Sequence, residues 1–216
     1  MSAIAIAHRA GNSLVGLHEA NALGVDIIEC DIHHDRGRLE VRHLKSAGPL
    51  PFLWDRWELV PASAPRLGLQ ELLDADRHGT TFMLDLKGRG AEVGAAVARL
   101  LHDGGHHRPV VVCGRRWSAV EALTQVHYVR PVLSARRPWE LAALAPRLAH
   151  GGIHGVSVHR SLLDADTVGR LRRHVETVMT WPVNDLASLD RLLAMGVTGI
   201  ISDSPTVLAE IVRRRD

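Results

Sequence analysis

Only two cysteines, Cys30 and Cys113, occur in the 216 residues. Both sit in apolar, strand-like runs without metal-ligand spacing, so they read as small buried hydrophobes rather than as a disulfide framework or a thiolate metal site. A reducing, cytoplasmic location is the matching expectation. Neither sign of charge is in excess: 26 Lys and Arg against 24 Asp and Glu leave a formal net charge of +2, spread along the chain, which removes the electrostatic case for a nucleic-acid partner. No apolar stretch is long enough to span a membrane, and Met1 to Ala7 carries neither a basic region nor a long apolar segment. Neither a signal peptide nor stable membrane insertion is expected. Oligomeric state leaves no signature in the sequence.

What is present is a chain that is 46% hydrophobic and long enough for one large domain, residues 1–216, with a well-buried core. Ala3 to Ala7 forms a short apolar run ending at His8-Arg9, and Asn12-Ser13 caps a helical segment from Leu14 to Leu23 that Gly24 closes. The stretch from Val25 to His43 opens as a second strand, apolar enough over Val25 to Ile28 to be buried, with Asp35-Arg36-Gly37 as a turn and Arg38 to His43 as an extension. Ser46 to Pro65, with four prolines and two tryptophans and no periodicity, reads as a long loop of the kind that covers a site. It is too Pro-rich for an amphipathic membrane helix. Trp54 and Trp57 within it either wall a lipid or choline headgroup or anchor the loop.

From Gly68 onward strands and helices alternate to the end, the helical segments including Trp117 to Val126, and Arg213-Arg214-Arg215 forms the favourable last turn of a helix. The count reaches eight strand-helix units. Alternation implies parallel pairing with right-handed crossovers, and eight units in about 200 residues fit a compact (β/α)8 TIM barrel. The competing architecture, an open doubly wound sheet, would carry a Gly-rich phosphate fingerprint after the first strand, and His8-Arg9-Ala10-Gly11-Asn12 is not one.

In a barrel the C-terminal strand ends surround one mouth, where such enzymes keep their chemistry. Alternation along the second strand puts Glu29, Asp31 and His33 on one side and Ile28, Cys30 and Ile32 on the other. Two carboxylates two residues apart repel unless a positive charge sits between them; the plain alternative is a solvated strand end. His8 and Arg9 end the first strand, His43 lies on the second strand's extension, and Asp85 and Lys87 share a face of the third. The later strands offer Arg115, Arg136, His159, Trp181 with Asn184, and Asp203 with Ser204. Fourteen histidines in the chain make any isolated one uninformative, so the convergence carries the reading. Glu29, Asp31 and Asp85 suit one divalent cation, Mg2+ or Ca2+. Arg9 and Lys87 add positive charge where a phosphoryl group would develop negative charge. His8 and His43 divide the proton work, either one taking a proton from an attacking hydroxyl while the other protonates the leaving oxygen.

These residues resemble the glycerophosphodiester phosphodiesterases, within the phosphatidylinositol phospholipase C-like superfamily. His8-Arg9 resembles that family's opening His-Arg-Gly, Asn12-Ser13 the end of its Glu-Asn-Thr, and Glu29-x-Asp31 its metal-binding pair. His43 resembles its second catalytic histidine, and Asp85-x-Lys87 falls at its Glu-x-Lys. Trp181-Pro182-Val183-Asn184 and GVTGIISDSP from Gly196 to Pro205 look like its closing motifs, and Trp181 and Asn184 are thereby candidates for the substrate pocket. The resemblance implies a barrel, a bound Ca2+ or Mg2+, and cleavage of a small phosphodiester or lysophospholipid assisted by a neighbouring hydroxyl, with His8 and His43 as base and acid. Ala10 replaces the motif glycine, Gly11 stands at the glutamate, Leu44 follows His43 in place of aspartate, and Asp85 is one methylene shorter than the usual glutamate. The loop after His8 is short, and the family's small insertion domain is not expected. Asp85 is similar instead to the aspartate of sphingomyelinase D-like phospholipases, which release a cyclic phosphate, although their disulfide-tied loops are missing here. Two further readings therefore stand beside hydrolysis: a lyase of that branch, and a degenerate barrel that binds a phosphorylated ligand without turnover.

Overall fold

The computed structural model describes residues 3–46, 50–55, 58–88, 90, 92–106 and 108–215. Its strands, in chain order, are β1 (Ile4–Ala7), β2 (Ile27–Asp35), β3 (Arg38–Val41), β4 (Lys45–Ser46), β5 (Phe52–Asp55), β6 (Glu58–Pro61), β7 (Thr81–Leu86), β8 (Val110–Gly114), β9 (Val129–Ala135), β10 (Gly155–His159), β11 (Thr177–Trp181) and β12 (Gly199–Ser202). The helices are α1 (Leu14–Leu23), α2 (Leu69–Ala75), α3 (Glu92–Asp103), α4 (Trp117–Glu121), α5 (Pro138–Leu148), α6 (Ala165–Arg172), α7 (Leu186–Ala194) and α8 (Pro205–Arg213).

Eight of these strands pair in parallel in the order β1, β2, β7, β8, β9, β10, β11, β12, and β12 returns to β1, which closes the cylinder. With one helix following each, this is a (β/α)8 TIM barrel. Capping sets the helix starts: Ser13, Asp164, Asp185 and Ser204 each accept a backbone N–H of the first turn, and Gly24 at φ 70° ends α1 in the left-handed region that glycine tolerates. Each barrel strand then divides its side chains. One set, including Ile28, Cys30, Ile32, Leu84, Val112 and Val156, packs outward under the helices. The other, Ile6, Ile27, Met83, Val111, Cys113, Val132, Met179 and Ile201, fills the lumen and makes it a packed floor rather than a pore.

Two stretches differ from the sequence reading. The span read as a loop from Ser46 to Pro65 contains β5 and β6, which with β4 form a three-stranded antiparallel sheet. Its residues face solvent on much of their surface, so no apolar alternation marks them as strands; Trp57 lies outside the described residues. Helix α4 ends at Glu121 rather than running to Val126. Beyond it Leu123, Thr124 and Val126 donate to carbonyls three residues back, and the Thr124 hydroxyl donates to the Glu121 carbonyl, competing with helical propagation. The turn at Arg36-Gly37 does form, both residues at positive φ, and folds β3 antiparallel onto the end of β2.

Gly94 lets α3 approach α4, since a Cβ there would lie 2.2 Å from the Ala119 carbonyl oxygen. Gly94→Ala is expected to cost about 1–3 kcal/mol through overpacking against backbone that cannot yield. The lowered urea midpoint at unchanged slope is the measurement that checks it.

Candidate active site

On the inner face, alternation carries each strand from apolar floor to polar rim: Ile6 leads to His8, Ile27 to Glu29 and Asp31, Met83 to Asp85 and Lys87. The polar ends line a cavity of about 830 Å3 at the C-terminal mouth, which His8, Arg9, Glu29, His43, Asp85 and Lys87 share. Register places Asp31 beside Asp85 across β2 and β7. One carboxylate oxygen from each of Glu29, Asp31 and Asp85 falls within 4.8 Å of the others. His33, the third residue on that face of β2, belongs to the hairpin beyond the rim and is paired in register with Glu40.

Asp31 is the most heavily bonded group. Asn12 clamps it twice, donating Nδ2 to Oδ2 at 2.8 Å and accepting the Asp31 backbone N–H on Oδ1 at 2.8 Å. His43 Nδ1 donates to Oδ2 at 3.1 Å, Lys87 Nζ stands 2.7 Å from Oδ1, and Arg9 Nε lies 3.7 Å from Oδ2. Burial acts to raise this carboxyl, but the His43 hydrogen bond and the Lys87 charge override it and hold Asp31 well below the usual carboxylate range. Lys87 also donates to Asp85, and the Asp85 and Asp31 charges raise the ammonium against the opposing effect of burial. Burial pushes the Asp85 carboxyl up despite Lys87.

Glu29 is different. It is 3% exposed, forms no ion pair among the described residues, and accepts only the Arg9 backbone N–H, at 2.6 Å on Oε2. Burial, and then the neighbouring Asp31 charge, pushes its carboxyl up to about 8. A buried carboxyl short of positive charge, beside two others and with oxygen donors only, is a donor set that fits a hard divalent cation.

Each histidine is oriented by carboxylates. His8 Nδ1 donates to Asp203 Oδ1 at 2.7 Å, across the seam where β12 meets β1, and Nε2 has no partner among the described residues. Burial acts to lower the His8 pKa, but the Asp203 hydrogen bond and the Glu29 and Asp203 charges outweigh it, and the net shift is upward. Asn184 steadies Asp203 by donating to its Oδ2 at 3.3 Å and accepting its backbone N–H at 3.0 Å. Asn184 thus stands behind Asp203 rather than on the cavity wall, whereas Trp181 lines the cavity. His43 lies between Asp31 and Asp55, with Nε2 3.1 Å from Asp55 Oδ2. Asp55 comes from β5 of the small sheet, and nothing in the sequence pattern points to it.

The glycine at position 11 also has a physical reason. A Cβ there would meet the Cys30 Cβ at 2.8 Å and the Glu29 carbonyl at 3.2 Å, so the shortened loop brings backbone where a larger residue has no room. Trp54 is exposed, does not line the cavity, and carries Lys45 Nζ 5.2 Å from its ring centroid.

The closed parallel barrel and its charged mouth place the chain among the barrel enzymes whose active site lies at the C-terminal strand ends. Residues 93–207 match the glycerophosphoryl diester phosphodiesterase family. No curated protein matches the chain in sequence. In structure it is similar to a phosphodiesterase of Oleispira antarctica solved with the product sn-glycerol-3-phosphate, at TM-score 0.80 and 18% identity, covering 98% of this chain and 97% of the other. A glycerophosphodiester phosphodiesterase of Parabacteroides distasonis gives TM-score 0.73 and 20% identity over 98% and 97% of the two chains. One of Thermotoga maritima gives 0.76 and 12% over 100% and 99%. At these identities the structures speak for the fold, while the sequence match covers more than half of the chain. The chain belongs to the glycerophosphoryl diester phosphodiesterase family and is a phosphoric diester hydrolase.

Cation binding at the carboxylate cluster is expected to release a proton. Below pH about 8 the Glu29 carboxyl of the cation-free site holds a proton that a cation must displace, so affinity rises as pH climbs towards 8 and levels off above it. Calorimetric titration with Mg2+ or Ca2+ at pH 6.5, in two buffers of different ionisation enthalpy, is expected to show release of about one proton. Glu29→Gln is expected to abolish that release and weaken binding.

Proposed function

We propose that residues 1–216 form one barrel domain that hydrolyses a glycerophosphodiester to a glycerol phosphate and an alcohol, with His8 and His43 as the acid-base pair. The observation that carries the reading is the pair of carboxylate-oriented histidines flanking the carboxylate cluster in a single cavity. Family membership and the glycerol phosphate bound by the Oleispira antarctica relative support the substrate class.

The roles follow from the hydrogen bonds. With its Nδ1–H fixed on Asp203, His8 presents Nε2 as an acceptor, and the Asp203 charge stabilises the imidazolium that forms when it takes a proton. His8 therefore removes the proton from the glycerol hydroxyl next to the phosphate as that oxygen bonds to phosphorus. His43, set between the Asp31 and Asp55 carboxylates, gives a proton to the departing alcohol oxygen as the P–O bond breaks. In the second half the roles reverse. His43 takes a proton from water as the water oxygen bonds to phosphorus, and His8 returns its proton to the glycerol oxygen. Arg9 and Lys87 place positive charge beside the phosphoryl oxygens. Glu29, Asp31 and Asp85 would hold Mg2+ or Ca2+, which when bound neutralises charge on non-bridging phosphate oxygens. Among the described residues no helix is long and apolar enough to cross a membrane, and both thiols are buried.

Phosphorus NMR of glycerophosphodiesters incubated with the protein and Mg2+ or Ca2+ tests this reading, with lysophospholipids as the second substrate class. Glycerol phosphate that disappears with chelator is the expected result; a persistent cyclic phosphate would replace hydrolysis with the lyase reaction. His8→Ala is expected to lower turnover by about 10²–10⁴-fold with the circular dichroism unchanged. Asp203→Asn removes a charge that raises the His8 pKa, so the acid limb of the kcat/KM profile is expected to move to lower pH while its plateau falls.

A further inference from the structure

The cavity that holds the candidate catalytic groups extends over a second sector of the mouth whose chemistry the proposed reaction does not use. At the ends of β8 and β9, and on the helix after β9, it is lined by Arg115, Arg116, Arg136 and Arg147, and Lys45 from β4 also lines the cavity. Glu140 is the one carboxylate among the lining residues there, and it is already committed: its Oε1 accepts Arg115 Nη2 at 2.5 Å, and its Oε2 accepts the backbone N–H groups of Arg136 and Arg137. Arg147 pairs outside the cavity with Glu121 at 2.7 Å. The side chains of Arg116 and Arg136 have no carboxylate partner among the described residues. Two solvent-reachable guanidinium groups thus face the same cavity as the reacting phosphate with no counter-charge of their own.

The aromatic faces of the cavity point the same way. A cationic headgroup such as choline needs open π-faces and nearby carboxylates. The two tryptophans that line this cavity among the described residues already carry guanidinium groups: Arg136 Cζ lies 6.0 Å from the Trp181 ring centroid and Arg147 Cζ 5.8 Å from that of Trp117. A quaternary ammonium at the Trp181 ring would contend with the Arg136 guanidinium, which has no carboxylate partner among the described residues.

Resting on the hydrolase reading, we infer that the preferred diester carries a second anionic group, a phosphate monoester or a carboxylate, on its alcohol half, and that Arg116 and Arg136 receive it. Guanidinium groups bind both anions by paired N–H donors, so the two sources share one chemistry.

The test compares four diesters that share the glycerophosphoryl half: glycerophosphoglycerol phosphate, glycerophosphoglycerate, uncharged glycerophosphoglycerol and cationic glycerophosphocholine. At least one anionic diester is expected to exceed the neutral one in kcat/KM by about tenfold or more, with choline lowest. The arm that leads identifies phosphate or carboxylate as the source. Arg136→Gln and Arg116→Gln are expected to erase that advantage, mainly through KM, while leaving turnover of glycerophosphoglycerol unchanged. Equal rates across the charge series, a preference for choline, or variants that depress every substrate alike would overturn the inference while leaving the hydrolase standing. If no diester is hydrolysed, the hydrolase reading falls, and calorimetric binding of the same four diesters to His8→Ala still decides the charge preference. Tighter binding of an anionic diester supports the inference, and equal or weaker binding removes it.

Discussion

Three carboxylates packed within a few ångströms at the rim of an apolar barrel floor repel one another, and the architecture of the mouth is arranged around containing that repulsion. Lys87 is the internal remedy, because one ammonium touches both Asp31 and Asp85. Asn12 and His43 complete the shell of Asp31 and fix its side chain. The compensation stops short of Glu29, which keeps a single backbone donor and a carboxyl displaced far above its ordinary range. A site built to be neutral without an ion would have paired that carboxyl as well. In the cation-free site a proton on Glu29 supplies the missing compensation, and a divalent cation that displaced it would take over that role.

The mouth is asymmetric in a way that follows from this arrangement. Acidic groups concentrate on β2 and β7, and basic groups follow on β8 and β9, one step round the cylinder. Net charge along the whole chain is close to balanced, so this separation is local. Fields from adjoining sectors of opposite sign add between them, which orients an elongated anionic substrate within the cavity.

Most of this was legible in the sequence because barrel topology converts strand-end residues into neighbours without any alignment. Alternation on β2 separated Glu29 and Asp31 from Ile28, Cys30 and Ile32, and the structure divides them that way. The double clamp of Asn12 on Asp31 was visible only as a motif match, since the bond joins a loop to a strand 19 residues on. Asp55 was invisible for a stronger reason. It reaches His43 from a solvent-facing sheet whose strands carry no apolar periodicity, so neither its secondary structure nor its position over the mouth could be read. The place of Asn184 behind Asp203 likewise depends on side-chain direction, which a strand-end list does not contain.

The division between the two parts of the chain has a consequence for how the site comes into being. The family match lies in residues 93–207, whereas His8, Arg9, Glu29, Asp31, His43, Asp85 and Lys87 all precede it. What the later segment contributes to the candidate chemistry is Asp203, at the end of the last strand. The pairing of β1 with β12 brings that carboxylate to His8 across 195 residues of sequence, so the orientation of His8 exists only in the closed barrel. Without that closure His8 would have no carboxylate partner, whereas Asp31 and Asp85 are set side by side by the β2–β7 register. The carboxylate cluster and the His8 base therefore depend on different parts of the fold: the first on β2, β7 and the segment after β1 that carries Arg9 and Asn12, the second on the pairing of β1 with β12 that closes the cylinder.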